Sequence, residues 1–374
     1  MSAIALTPMD FGGRAARVRA DLAANSVSAL FVSNLTNIRW LTGFTGSNGW
    51  LVLSDGQLVL VTDGRYADQA AEQMAAGRVD GTVLIGSTRA KMIDHVRALL
   101  GGHSPIGFES GHLTYADHAT IATEVGGSWL PTAGVVEAHR RTKDSGEVDR
   151  MRQAARLADD ALAATLPLLG DEPTEATFRD HLEWEMRRLG ADGPSFDTIV
   201  AAGANAALPH HHPDSTRIVE GMTVVVDFGA LYDGYHSDMT RTFTIGDPTA
   251  QQQEVYEVVL AAQRAGVAAV APGARGQALD AVCRDHIAAA GWGDWFNHGT
   301  GHGVGLQIHE SPWLTLSYDD TLAVSDVVTV EPGVYRKDFG GVRIEDMVLV
   351  TTDGCQSLTN TPKDSPCLPS RPMS

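Results

Sequence analysis

The chain has 374 residues, enough for two domains that each bury a core, and its 43% hydrophobic and 20% charged residues make an ordinary globular composition. A formal charge of −18 argues against nucleic acid and anionic membrane as partners. Cys283, Cys355 and Cys367 are too few for a disulfide framework, no apolar run reaches spanning length, and no basic stretch precedes an apolar core near the start, so a soluble cytoplasmic protein is expected.

In chain order, residues 13–25 read as an amphipathic helix and Ala29–Val32 as a short buried strand. NIRWLTGF (residues 37–44) and the following GSNG read as a loop leading into a strand at residues 50–53. Residues 59–62 are its hairpin partner across Asp55-Gly56. Residues 64–74 are helical, and shorter strand and helix signals alternate up to Trp129. This α/β stretch shows no metal-ligand cluster, so a lid or an oligomerisation surface is expected of it. A boundary is expected near residues 142–145, dividing the chain into domains 1–142 and 143–374.

Beyond it, Asp144 with Glu147 makes a capping-box start, and residues 147–166 run as an Ala-rich helix halted around Pro167 and Gly170. Thr174 caps a second helix through Leu189. SFDTIVA (residues 195–201) reads as a strand, followed by a loop holding His210, His211 and His212. Two more helices are expected at about residues 250–270 and 276–290. Residues 343–350 read as the last strand, before a loop-rich tail.

The chemistry gathers around GMTVVVDFGALYDGYHSD, residues 221–238. An apolar, β-branched run reads as a buried strand and ends on Asp227, and a charge there is costly unless it is paired or binds a cation. The pattern returns in SDVVTVEPG, residues 325–333, which ends on Glu331. Each copy then reaches a second carboxylate, Asp238 in the first and Glu345 in the second. This reads as an internal duplication closing over one site. Between the copies, HGTGHGVGLQIHE supplies His298, His302 and His309. Four carboxylates and a histidine suit two divalent metal ions. Taken singly, an Asp after a strand is more often a turn or a cap, and His302 between glycines is more often structural; the repeated pattern outweighs both. The glycines at 299, 301, 303 and 305 do not fit a dinucleotide fingerprint, and the histidines lack zincin spacing.

Five stretches, FDTIVAAGANAALPHHHP, VVVDFGALYDGYHSDMTRTF, HGTGHGVGLQIHE, TVEPGVY and GVRIED, stand in the order found in the pita-bread metallopeptidases, and the chain resembles that family. TGFTGSN and TDGRYADQA resemble its creatinase-like N-terminal domain. The resemblance implies an α/β (α+β) chain: a C-terminal pita-bread fold with a pseudo-two-fold repeat, preceded by a smaller α/β domain. It implies that Asp227 binds one metal, that Asp238 and Glu345 bridge both, and that His302 and Glu331 complete the other. It gives His210 the tetrahedral intermediate, His309 a substrate contact, Glu331 a proton shuttle and Arg343 an orienting role, with His298 and Tyr335 around the substrate pocket. The implied activity is that of a dinuclear exopeptidase cleaving the Xaa-Pro bond of short proline-containing peptides by attack of a metal-bridging hydroxide. Manganese is the expected ion, with cobalt, zinc and iron as alternatives, and a homodimer is the expected assembly. Two alternatives stay open: a silent binding protein on the same fold, and an aminopeptidase of broader specificity. After His309-Glu310 comes Ser-Pro-Trp, without the Arg of some dipeptide-cleaving relatives, so dipeptidase and aminopeptidase are not separated.

Overall fold

The computed structural model describes residues 6–368; the outer ends of the two expected domains, residues 1–5 and 369–374, lie outside them. The chain divides into two compact units. One is Pro8–Arg140, and the other runs from Arg141 and includes Leu6 and Thr7.

The first unit is a six-stranded mixed sheet. Its strands are β1 (Ala29–Val32), β2 (Gly49–Ser54), β3 (Gln57–Thr62), β4 (Thr82–Ile85), β5 (Ile106–Glu109) and β6 (Trp129–Thr132), in the order β4-β3-β2-β1-β5-β6. The β2–β3 hairpin closes at Ser54↔Gln57 across Asp55 and Gly56, and Gly56 takes the left-handed φ of +84° that a two-residue turn requires. Residues 37–44 are not the expected loop: a helix spans Leu35–Thr42. Asn34 caps it by accepting from the Thr36 N–H, Gly43 ends it at a φ of +77°, and Ile38, Trp40 and Leu41 are buried. Tertiary burial of three large apolar residues outweighs a short, weakly patterned sequence. The first helix, Arg14–Ala20, is shorter than expected and gives way to turns.

The second unit contains two similarly built halves. In one, α1 (Ser145–Thr165) and α2 (Glu175–Leu189) pack on the sheet formed by β8 (Ile199–Ala202), β9 (Thr223–Phe228) and β12 (Met239–Thr244). A smaller sheet of β7 (Gly193–Pro194), β10 (Ala230–Tyr232) and β11 (Tyr235–His236) flanks it. In the other half, α3 (Ala250–Ala269) and α4 (Gly276–Ala289) pack on β13 (Gly301–Gly303), β14 (Glu310–Leu314), β15 (Val327–Val330), β18 (Asp346–Val350) and β19 (Cys355–Ser357). The pair β16 (Gly333–Arg336) and β17 (Gly340–Arg343) completes it.

Each half keeps its own core. Leu157, Leu162, Phe178, Leu182, Val224, Val226 and Phe228 are buried together in the first, and Val259, Leu279, Ile287, Val328, Val330 and Val348 in the second. The two capping-box bonds between Asp144 and Glu147 are both 2.9 Å, and Thr174 caps α2 as its position in the sequence anticipates.

Two expected strands are broken. Of residues 195–201 only the end joins β8, because the Ser195 N–H turns to the Gly229 carbonyl at 2.8 Å and its hydroxyl to His236 at 2.8 Å. Residues 343–350 divide into the end of β17 and β18, with Ile344 and Glu345 between them. The break swings Glu345 against the other half, where its N–H reaches the Thr240 carbonyl at 3.1 Å. Thr242 Oγ1 donates to the Arg343 carbonyl at 2.7 Å, and a buried Arg241–Asp346 ion pair of 2.8 Å further joins the halves.

Candidate metal centre and active site

The central hairpins of the two halves deliver the carboxylates. Asp227 lies on β9 opposite Thr240, and Asp238 directly precedes β12. Glu331 directly follows β15, and Glu345 directly precedes β18, where Asp346 pairs with Val330. Two largely buried antiparallel pairs thus end, from opposite halves, on one polar spot.

His302 completes the cluster from β13. The strand lies so close to both neighbours that a Cβ on Gly301 would stand 2.0 Å from the Thr329 carbonyl oxygen of β15, and one on Gly303 would stand 2.4 Å from the Ser311 carbonyl oxygen of β14. The alternating glycines therefore serve close backbone packing. His302 Nδ1 lies 3.0 Å from the Gly303 carbonyl, so Nδ1 carries the hydrogen and Nε2 presents its lone pair. Nε2 is 3.4 Å from Glu331 Oε1 and 3.6 Å from Asp238 Oδ2, and ligand atoms of Asp238, His302 and Glu345 all lie within 4.8 Å of one another.

The electrostatics fit a cation. Burial raises the Asp238 and Glu345 carboxyls well above the usual range, and neighbouring carboxylates push them further up; Glu331 is raised to about 8 by burial, with Asp227 adding to it. Burial holds the His302 imidazole down to about 3, with His309 adding to it, so the ring is uncharged at neutral pH. Asp227 Oδ1 is buried without a hydrogen-bond partner. Carboxylates that repel one another, an uncharged imidazole aiming its lone pair at them and an orphaned carboxylate oxygen form a donor set that divalent ions complete. Arg343 lies beside it: its Nη2 is 2.6 Å from Asp227 Oδ2, its Nε donates to Thr240 Oγ1 at 3.1 Å, and Thr240 donates to Glu345 at 2.7 Å.

These groups form one side of a cavity of about 480 Å³. Of the ten residues singled out from the sequence, Asp227, Asp238, His302, Glu331, Glu345, His210, His298, His309 and Arg343 all line it. Tyr335 stands just behind, as the middle of a relay. Arg343 Nη1 donates to the Tyr335 hydroxyl at 2.7 Å, the hydroxyl donates to His298 Nε2 at 2.9 Å, and His298 Nδ1 donates to the Gly299 carbonyl at 2.7 Å. Burial and the Arg343 charge lower His298 to about 3, and burial raises Tyr335 to about 12, so both stay neutral. His309 stands edge-on to His302 with ring centroids 4.4 Å apart and stacks on Trp313. Phe196, Ile199, Ile308 and Trp313 supply apolar wall.

Residues 149–352 match metallopeptidase family M24, and residues 14–142 match the creatinase/prolidase N-terminal domain. The chain belongs to metallopeptidase family M24. The M24 chain is 34% identical to an Xaa-Pro dipeptidase of Pyrococcus furiosus over 91% of its own length and 95% of the relative's. Its fold superposes on a solved Xaa-Pro dipeptidase from Bacillus anthracis with a TM-score of 0.91 and 36% identity, covering 95% of this chain and 99% of that one. An X-Pro aminopeptidase from Thermotoga maritima superposes with a TM-score of 0.85 and 31% identity, over 94% and 99% of the two chains. This M24 metallopeptidase has a mixed α/β pita-bread fold, binds divalent metal ions and, among its described residues, has no helix long and apolar enough to cross a membrane.

Several supporting groups escape a sequence reading. Thr240 and Thr329 hold Glu345 and Glu331, and in sequence they are ordinary strand threonines. Lys143 and Glu310 form a buried 2.7 Å pair beside His309, and no local pattern marks residues so far apart in the chain. His211, which in sequence is one of three adjacent loop histidines, is partly buried against Glu175.

Proposed function

We propose that the chain is a dinuclear metal-dependent exopeptidase that hydrolyses the Xaa-Pro bond of short peptides. The observation that carries the reading is the convergence of four carboxylates and an uncharged imidazole on one side of a cavity that His210, His298 and His309 also line. Its volume suits a few peptide residues. The names of the relatives supply the proline preference: Xaa-Pro dipeptidase and X-Pro aminopeptidase.

Asp227, Asp238, His302, Glu331 and Glu345 would hold the ions. Oxygen-rich donors favour manganese, with cobalt, zinc and iron as alternatives. When bound, such ions polarise a carbonyl and acidify water. Glu331 takes the proton of the attacking water and delivers it to the proline nitrogen, which must be protonated to leave. His210 donates a hydrogen bond to the oxyanion that develops at the scissile carbonyl. His309 contacts the substrate, and His298 with Tyr335 walls the pocket as a neutral pair. Arg343 orients Asp227 and ties it to that wall.

Residues 143–374 are the catalytic domain in this reading, and residues 1–142 a creatinase-like domain that supports a homodimer. The largely exposed Tyr115 offers contact area for assembly. A cytoplasmic location agrees with three unpaired cysteines. Manganese-loaded enzyme should hydrolyse Ala-Pro or Ala-Pro-Xaa peptides and spare Ala-Ala-Xaa. Equal turnover of proline and alanine peptides would instead make it a broader aminopeptidase.

A further inference from the structure

Outside the cluster of metal-binding carboxylates, one buried carboxylate stands out by its bonding: Glu175, the first residue of α2 and wholly enclosed. Oε1 accepts from the Ala202 N–H at 2.7 Å and from Asn205 Nδ2 at 3.1 Å. Oε2 accepts from His211 Nε2 at 2.7 Å and from the Asp214 N–H at 3.1 Å. A carboxylate only accepts, so His211 carries its hydrogen on Nε2. The backbone adds two ties at the same place, Glu175 N–H to the Thr216 carbonyl and Ala176 N–H to the Asp214 carbonyl, both 3.0 Å.

Glu175, His211 and Asp214 lie close enough together to ligate a cation. Each Glu175 oxygen, however, already accepts two hydrogen bonds, which uses the lone pairs a cation would need. The carboxylate is a hydrogen-bonding hub. Two of its four donors, Ala202 and Asp214, flank residues 203–213, the loop that carries His210 into the cavity, and the other two, Asn205 and His211, lie within it. His210 is exposed, while its two neighbours are tethered: Pro209 through its carbonyl to Arg343 Nη1 at 3.4 Å, and His211 to Glu175. One buried carboxylate therefore sets the backbone from which the His210 ring projects.

We propose that Glu175 is a positioning residue for the hydrolysis. Through His211 and the loop ends, it holds His210 where its ring meets the developing oxyanion. The proposal rests on the reading of His210 as that donor. A donor acts on a transition state only when it is preorganised, and a displacement of about 1 Å can cost on the order of 10²-fold in rate. An enclosed carboxylate with four donors supplies such rigidity without touching substrate.

The test is a double-mutant cycle on manganese-loaded full-length enzyme, with kcat, KM and bound metal measured for each variant. Glu175→Gln keeps the volume but turns an amide NH2 toward two donors. It should lower kcat by about 10–100-fold, with KM and metal content close to wild type. His211→Ala should lower kcat in the same direction and by less. If Glu175 acts through His210, then adding Glu175→Gln to His210→Ala should cost almost nothing further. An equal loss in both backgrounds would show a general structural role and overturn the proposal, as would an unchanged kcat in the single variant. Should Glu175→Gln fail to fold, His211→Ala run through the same cycle decides between the same outcomes. A His210→Ala enzyme with full kcat would overturn the reading of His210 itself, and the proposal with it.

Discussion

His210 and His302 sit in one cavity, yet their surroundings assign them different work. His302 is buried, uncharged and aimed at two carboxylates, whereas His210 is exposed on a loop. His302→Ala should therefore lose bound metal and activity together. His210→Ala should keep its metal and lose on the order of 10²–10³ in kcat, as the removal of an oxyanion donor does. Metal analysis beside steady-state kinetics checks both, and a reversed metal content would exchange the roles. His298 gives a pH prediction. Its folded-state pKa of about 3 lies below the ordinary 6.5, because burial and Arg343 disfavour the imidazolium. Between those values the unfolded chain binds more protons, so stability contributed by His298 is full above pH 6.5 and falls with acidification toward pH 3. The loss of melting temperature between pH 6.5 and pH 4 should be smaller in His298→Gln than in the wild type. An equal loss would mean that His298 is protonated in the folded protein.

Among the elements, β13 is the one whose composition leaves least room. Its glycines alternate because β15 and the Ser311 backbone lie where side chains would stand. Gly301→Ala would push β13 away from Thr329, whose hydroxyl accepts from the His302 N–H at 3.1 Å. Overpacking of this kind costs about 1–3 kcal/mol, and here it also shifts a proposed metal ligand. The variant should melt earlier and bind metal more weakly, and thermal unfolding with and without added manganese measures both. Wild-type metal affinity in a destabilised variant would separate the packing of β13 from the ligand set. The Lys143–Glu310 pair works at the same scale, anchoring the start of the second unit to the strand that follows His309.

Across the second unit, two halves with separate cores meet over a polar centre. Asp227 and Asp238 come from one half, and His302, Glu331 and Glu345 come from the other. Carboxylates that raise one another's pKa resist being charged together, so cations favour the closed arrangement of both halves. Metal that binds only the folded chain stabilises it by mass action, by about 2.7 kcal/mol at 100 times its dissociation constant. Chelation should abolish activity and lower the melting temperature, and added manganese should restore both. Activity that survives verified removal of the ions would sink the dinuclear mechanism. The Arg241–Asp346 pair also spans the halves. Removing one partner of such a buried pair typically costs about 3–5 kcal/mol, so Arg241→Ala should destabilise the protein even when metal is saturating.

Local physics makes much of this protein legible in its amino-acid sequence. Asp144 with Glu147 and Thr174 mark the starts of α1 and α2, because a capping side chain bonds only to its own first turn. The β9 and β15 runs announce themselves as unbroken β-branched stretches, and the carboxylates ending them are conspicuous because a charge at the edge of a core needs a partner. What the chain alone leaves undecided are matters of distance. The helix at Leu35–Thr42 depends on burial that its own composition does not advertise, and the break at Ile344 and Glu345 exists because Glu345 must reach Thr240 in the other half. Which loop histidine becomes enclosed is equally hidden: His211 and His212 are neighbours in an identical run, and only the arrival of Glu175 from the start of α2 sets them apart. Hydrogen bonds and ion pairs between residues far apart in sequence leave no periodicity behind, so their partners are decided by tertiary packing alone.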